Sequence, residues 1–232
     1  MVSLSAPAVR VRRPGYHAPI VLSPARAAVH RARALARTLQ PLNRSVLWDV
    51  FDRPAPLPSE FARYGSGSWL VPPSDIRGAD GIAVGDNVIV LEHSVMHVLG
   101  VTDTPKLILG DGVRLTRFVS ITCEVRVELA DDVASSDCIA ISDSWRHWAM
   151  PSHRHGQPPP PPPAPVHIGR GAYLGFGCTI GPGVTIGEGA FIGEGAVVLD
   201  DVADHTLVYG NPARVVRQHD RTSGTWSGSR RP

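Results

Sequence analysis

Between Val166 and Asp201 a large aliphatic residue recurs at every sixth position: Ile168, Leu174, Ile180, Ile186, Ile192 and Val198. A smaller apolar residue stands two positions before each, at Val166, Ala172, Cys178, Val184, Ala190 and Ala196. Glycine follows the first five aliphatics, at Gly169, Gly175, Gly181, Gly187 and Gly193. A period of six drifts around a helical turn of about 3.6 residues, so it cannot keep one helical face apolar. On a strand, residues two apart share a face, so each hexad points its first and third positions inward and then turns. Glycine just after the inward aliphatic is expected to supply the permissive backbone of a sharp corner. Three strands and three corners close a triangular coil, and the next coil stacks upon it. This predicts Ile168 beneath Ile186, Leu174 beneath Ile192 and Ile180 beneath Val198. One coil is too thin to bury its aliphatics, whereas stacked coils share a continuous core. The pattern predicts an all-β solenoid.

The hexad reappears in degenerate form from Ile76. Ile82–Val90 and Leu107–Leu115 keep the inward alternation, as do Val119-Ser-Ile121 and Val127-Glu-Leu129. Ile121 and Leu129 stand eight apart, which predicts an insertion or bulge, and His97–Pro105 interrupts the preceding coil. A larger excursion runs from Ser142 to Pro165 and contains six consecutive prolines, Pro158–Pro163. Proline donates no ladder hydrogen bond, so this run reads as a stiff polyproline II spacer. Upstream, residues 1–22 carry arginine and proline without period and read as a mobile basic arm. Ser23-Pro24 is a good helix start, and a helix is expected over 24–40, stopped by Pro41. Its thin Ala/Leu stripe suits docking on the coils or on a neighbouring subunit, and its four arginines suit contact with an anionic membrane or polysaccharide surface or a plain solvated basic face. Residues 41–75 are expected to form an irregular cap in which Trp48, Phe51, Phe61 and Trp69 cover the first coil. Gly65-Ser-Gly67 lacks the third glycine and the preceding strand of a phosphate loop. The organisation predicted is a basic arm, helix and cap over 1–75, a coil domain over 76–217 with the excursion at 142–165, and a disordered tail at 218–232.

The hexads, closed by Leu207-Val-Tyr-Gly-Asn-Pro-Ala-Arg-Val-Val-Arg217, resemble the hexapeptide-repeat acyltransferases. The group most similar is the sugar and small-molecule O-acetyltransferases, which fold as a left-handed parallel β-helix. The likeness is strong over Val166–Arg217 and extends more weakly back to about Ile76. It implies transfer of an acetyl or other acyl group from acetyl-coenzyme A to a hydroxyl or amine acceptor, in a homotrimer whose sites lie between subunits.

Composition narrows this little. The formal charge is +2 in 232 residues, which offers no argument for nucleic acid. Lys106 is the only lysine among 23 basic residues. Cys123, Cys138 and Cys178 sit at no metal or disulfide spacing, and Cys178 occupies an inward hexad position, so it reads as core. No apolar run approaches a membrane span, and the N-terminus carries charge and proline where a secretory signal needs apolar residues. A cytoplasmic location is expected.

Acyl transfer needs a base for the acceptor's proton and donors for the oxyanion. Histidine suits the first role because its charge changes near neutral pH. In the resembled family the catalytic histidine stands just before an excursion and the clean repeats, often within Asp-His-x-His. Here that place reads Asp143-Ser144-Trp145-Arg146-His147, so the histidine arrives late and Ser144 takes its usual position. The resemblance designates His147 as base and Asp143 as its orienting carboxylate, with direct attack on the thioester. Trp145, Trp148, His153 and His155 are the candidate acceptor contacts. For the coenzyme the resemblance implies Tyr173, Gly175, Gly193, Ala196, Pro212, Ala213, Arg214 and Arg217, the two arginines facing phosphates. His93 and His97 have HxxxH spacing, which converges only on a helix, so no metal is expected. Two rival readings remain: a zinc hydratase of γ-carbonic-anhydrase type, and a β-helix that binds without catalysing.

Overall fold

The computed structural model describes residues 10–11, 20–21, 56–100, 104–145, 161–220 and 223–227. The chain divides into two units, Met1–Asp49 and Val50–Pro232. In the first, Arg10–Val11 pairs antiparallel with Ile20–Val21. The expected helix over 24–40 and the cap residues Trp48 and Phe51 lie outside the described residues.

The second unit consists of short strands on three parallel faces. The first face stacks Arg63–Tyr64, Ile82–Val84, Leu107–Leu109, Val127–Leu129, Val166–Ile168 and Thr185–Ile186. The second stacks Trp69–Leu70, Ile89–Val90, Arg114–Leu115, Ala134–Ser135, Tyr173–Leu174, Phe191–Ile192 and Thr206–Tyr209. The third stacks Asp75–Arg77, Val95–Val98, Ser120–Cys123, Ala140–Ser142, Thr179–Ile180 and Val197–Val198. Among the described residues the only helical segments are the 3-10 turns Pro58–Glu60 and Ala79–Gly81.

The predicted stacking is present: Ile168 pairs with Ile186, Leu174 with Ile192 and Ile180 with Val198, all parallel. Their side chains are buried in one core that runs the length of the stack, with Cys178 and Cys123 inside it. The coils begin at Arg63, earlier than the hexads show, because Tyr64 pairs with Val84 and Leu70 with Val90. Phe61 closes the open end, edge-on to Tyr64 with ring centroids 5.2 Å apart. Trp69 does not share that work. It precedes the inward Leu70, so strand alternation turns it out, and it is 67% exposed.

Carboxylates tie the coils at the edge between the first and second faces. Asp86 Oδ1 accepts the Ser66 amide at 2.6 Å, Asp111 that of Asp86 at 2.8 Å, and Asp131 that of Asp111 at 3.0 Å. The glycine after each inward aliphatic works differently from expectation. A Cβ at Gly175 would lie 2.6 Å from the Ile192 carbonyl of the next coil, so the requirement is for close approach. Positive φ falls two residues later, as at Gly177, φ +67°.

Candidate functional site

The three edges of the prism are unequal. From the first face to the second, and from the second to the third, inward residues always advance by six, as in Val84, Val90 and Met96 or Leu129, Ser135 and Ile141. From the third face back to the first the step varies. It is eight from Ile76 to Val84 and from Ile121 to Leu129, thirteen from Met96 to Leu109, and 27 from Ile141 to Ile168. Only Ile180 to Ile186 returns to six. Every excursion therefore opens from one edge, where strands of the third face end.

Asp143 organises that edge. Its side chain is wholly buried, and its carboxylate accepts the amides of Glu124 at 2.8 Å, Val125 at 2.6 Å and Arg126 at 2.8 Å. This turn is the bulge expected between Ile121 and Leu129. The Asp143 carbonyl accepts the amide of Ala164 at 2.8 Å, so one residue holds both mouths of the large excursion. The carboxylate expected to orient a histidine is thus engaged by backbone amides. Ser142 Oγ donates to the Ser144 carbonyl at 2.8 Å, keeping Ser144 buried at the exit. Trp145 packs against the coil, its ring edge 3.3 Å from the space a Cβ on Gly181 would fill. His147, Trp148, His153 and His155 lie outside the described residues. The last three prolines of the run, Pro161–Pro163, form no strand, and Pro158–Pro160 lie outside the described residues.

The same edge carries a pair that sequence reasoning passed over. His97, on the third face, bonds through Nε2 to Asp75 Oδ2 of the coil below, at 2.7 Å. The His97 side chain is 24% exposed and that of Asp75 is wholly buried. The Arg77 guanidinium reaches the same carboxylate at 2.9 Å. Burial pushes the Asp75 carboxyl up, but the hydrogen bonds and charges of Arg77 and His97 outweigh it, and the net shift is downward. Asp75 therefore stays ionised and anchors the imidazole. The HxxxH spacing of His93 and His97 does not reveal this pair; the signal lies in the alignment of Asp75-Ile-Arg77 beneath Val95-Met-His97.

The residues expected to hold coenzyme A gather elsewhere, around the last coils. Tyr173 stacks on Phe191 on the outer second face, centroids 4.8 Å apart. Gly175 and Gly193 follow the inward residues of that face, and Tyr209 lies directly over Gly193. Ala196 is turned into the core, and its carbonyl accepts the Thr179 amide, so its side chain offers no ligand contact. The Ala213 amide donates to the Val197 carbonyl at 2.8 Å, which seats Pro212 and Ala213 at the end of the third face. Arg214 is exposed, 3.6 Å from Asp200, and Arg217 sits opposite Leu207 in an antiparallel strand. Within one chain these residues and the excursion edge are separate. An open groove of ≈ 360 Å³ along the edge between the first and second faces, lined by Gly85, Gly110, Asp111, Asp131 and Arg170, contains none of the expected site residues. Among the described residues no three His, Cys, Asp or Glu side chains converge as a metal would require. None of their helices is long and apolar enough to cross a membrane.

Residues 165–200 match the family model of the bacterial transferase hexapeptide, six repeats. This bears out the resemblance over the clean coils, and the parallel, nearly helix-free faces fit a left-handed β-helix. By sequence, no curated protein matches the chain significantly. Among solved structures it is similar to AntD, an N-acyltransferase from Bacillus cereus solved with dTDP-4-amino-4,6-dideoxyglucose and coenzyme A. The identity is 18% over 71% of this chain and 88% of AntD, with a TM-score of 0.52. It is also similar to perosamine N-acetyltransferase from Caulobacter crescentus, with 21% identity and a TM-score of 0.43. That alignment covers 61% of this chain and only 55% of the perosamine enzyme. An acetyltransferase from Vibrio cholerae solved with acetyl-coenzyme A shows 20% identity over 84% of this chain and 90% of its own, TM-score 0.45.

Proposed function

We propose that the protein transfers an acyl group from acyl-coenzyme A to a hydroxyl or amine of a saccharide or similar small acceptor. The observation that carries this reading is the match of residues 165–200 to the bacterial transferase hexapeptide repeat. AntD, with the same fold, was solved with coenzyme A and an amino sugar carried on dTDP, which supports a saccharide acceptor. The acceptor attacks the thioester directly, a histidine base takes its proton, and backbone amides receive the oxyanion; no covalent enzyme intermediate is required. The pantetheine arm lies along the clean coils, with Tyr173 beside it and Arg214 and Arg217 toward the phosphates. Coenzyme residues and excursions occupy different edges of a three-sided prism, so a site that uses both is completed by a neighbouring copy. A cyclic homotrimer does this three times over. Acyl-coenzyme A is a cytoplasmic donor, and the protein acts there.

The test is thiol release from acetyl-coenzyme A and 3-hydroxybutyryl-coenzyme A against a panel of nucleotide-linked amino sugars, galactosides and free hexosamines. Release above donor hydrolysis with at least one saccharide is expected. Silence with every pair, from protein shown to be folded, overturns the reading. Alkaline hydroxylamine, applied after the donor is removed, separates the products, cleaving an ester and sparing an amide.

A further inference from the structure

Asp75 and His97 are 22 residues apart in sequence yet form a short hydrogen bond at the edge where every excursion opens. A buried carboxylate that grips one ring nitrogen fixes both the tautomer and the orientation of an imidazole. In the neutral ring, Nε2 donating to Asp75 makes Nδ1 the acceptor. The ring is half-buried and reachable, while its anchor is sealed from water. Arg77, on the same carboxylate, holds Asp75 in place.

The position is equally telling. Arg77, His97, Thr122 and Ser142 follow one another up the third face in parallel register. His97 thus stands two strand spacings, about 10 Å, from Ser142 at the mouth of the large excursion. Among the described residues, His97 is the one histidine of the third face. Asp143 is engaged by the amides of residues 124–126, and Ser144 is buried, so neither offers a base at the place the family resemblance designates.

We infer that His97, aligned by Asp75, is the catalytic base of the acyl transfer proposed above, on which this inference rests. The acceptor's oxygen or nitrogen attacks the thioester carbonyl carbon and gives its proton to His97 Nδ1. The tetrahedral intermediate collapses, the C–S bond breaks, and the leaving sulfur takes that proton from the imidazolium. The products are the acylated acceptor and free coenzyme A thiol, and His97 returns neutral. Asp75 is a positioning residue.

The experiment uses the full chain, acetyl-coenzyme A and the acceptor giving the fastest release in the panel. His97→Ala is expected to lower kcat roughly 10²–10⁴-fold with little change in KM, the usual worth of a general base. Added imidazole should restore part of the lost rate in that variant, a rescue that a structural role would not show. His97→Gln, which preserves a polar contact to Asp75, should be as slow as His97→Ala while unfolding at the wild-type temperature. Asp75→Asn should lower kcat about tenfold or more and leave KM unchanged. A His97→Ala protein as active as wild type overturns the inference and leaves acyl transfer standing. So does imidazole rescue of His147→Ala without rescue of His97→Ala. A folded wild type silent with every donor and acceptor removes the acyl-transfer reading and this inference with it.

Discussion

The amide of Arg126 donates to the carboxylate of Asp143 at 2.8 Å, and those of Glu124 and Val125 converge on the same group. A turn two residues longer than its counterpart at Ile180–Ile186 is held closed by a charge from the coil above. Asp143→Ala leaves three turn amides without their acceptor, and charge-assisted bonds of this kind stabilise a fold more than neutral ones. We expect Asp143→Ala to lower unfolding stability by roughly 2–4 kcal/mol, with Asn intermediate because one carbonyl oxygen remains. Denaturant midpoints measure this; an unchanged midpoint in the alanine variant contradicts the role.

Ile186 lies at the middle of the clean stack, buried between Ile168 below and the Val202 bridge above. Neighbouring coils are hydrogen-bonded and cannot collapse inward to fill a void. Ile186→Ala should therefore fall toward the upper part of the usual range, about 3–5 kcal/mol, and Ile186→Val near 1 kcal/mol. Chemical denaturation of the two variants decides it.

Two glycines should fail for different reasons. A methyl at Gly193 would collide with the Tyr209 ring, whereas one at Gly187 would meet the backbone amide of Asp204. A side chain can swing away; a backbone held in register cannot. Tyr209→Ala is expected to recover most of the stability lost in Gly193→Ala, and no single truncation of Asp204 should recover Gly187→Ala. A double-mutant cycle on Gly193 and Tyr209 with no coupling would refute the contact.

Burial pushes the thiols of Cys123 and Cys178 from an ordinary value of 9.0 to about 12. Both are neutral in the folded protein at mild alkalinity, whereas in the unfolded chain they ionise near their ordinary value. The unfolded state therefore binds fewer protons between these values, so stability contributed by these thiols is full below about pH 9 and declines as pH rises toward 12. Cys138 is exposed. A thiol reagent at pH 8 should modify one cysteine per native chain and all three after denaturation; two or three fast thiols in the native protein contradict the burial.

The coils from Val166 onward were legible because their period is strict: every inward aliphatic recurs after six residues and stacks after eighteen. The bulge between Ile121 and Leu129 was legible for the same reason, as a break in a known step. The first coil was missed because Tyr64 and Leu70 sit among Pro, Gly and Ser, and their inward alternation shows only once Val84 and Val90 are placed above them. The Asp75–His97 pair was hidden by arithmetic. Its coils are spaced by twenty residues, so a reader stacking by eighteen puts the wrong residues in contact. Trp69 was misassigned because its bulk suggested burial, whereas one position along a strand decides the side.

The stack ends with a reversal. Arg214–Asp220 runs antiparallel to Thr206–Tyr209, and Thr225–Ser227 runs antiparallel to it in turn. A parallel screw offers each finished tier as a template for another, from its own chain or from a stranger's. Turning the final strand back presents a mismatched thread to any newcomer, which should oppose growth along the axis. Removing residues 214–227 would bare the rim at Thr206–Tyr209, and such chains should join end to end into filaments.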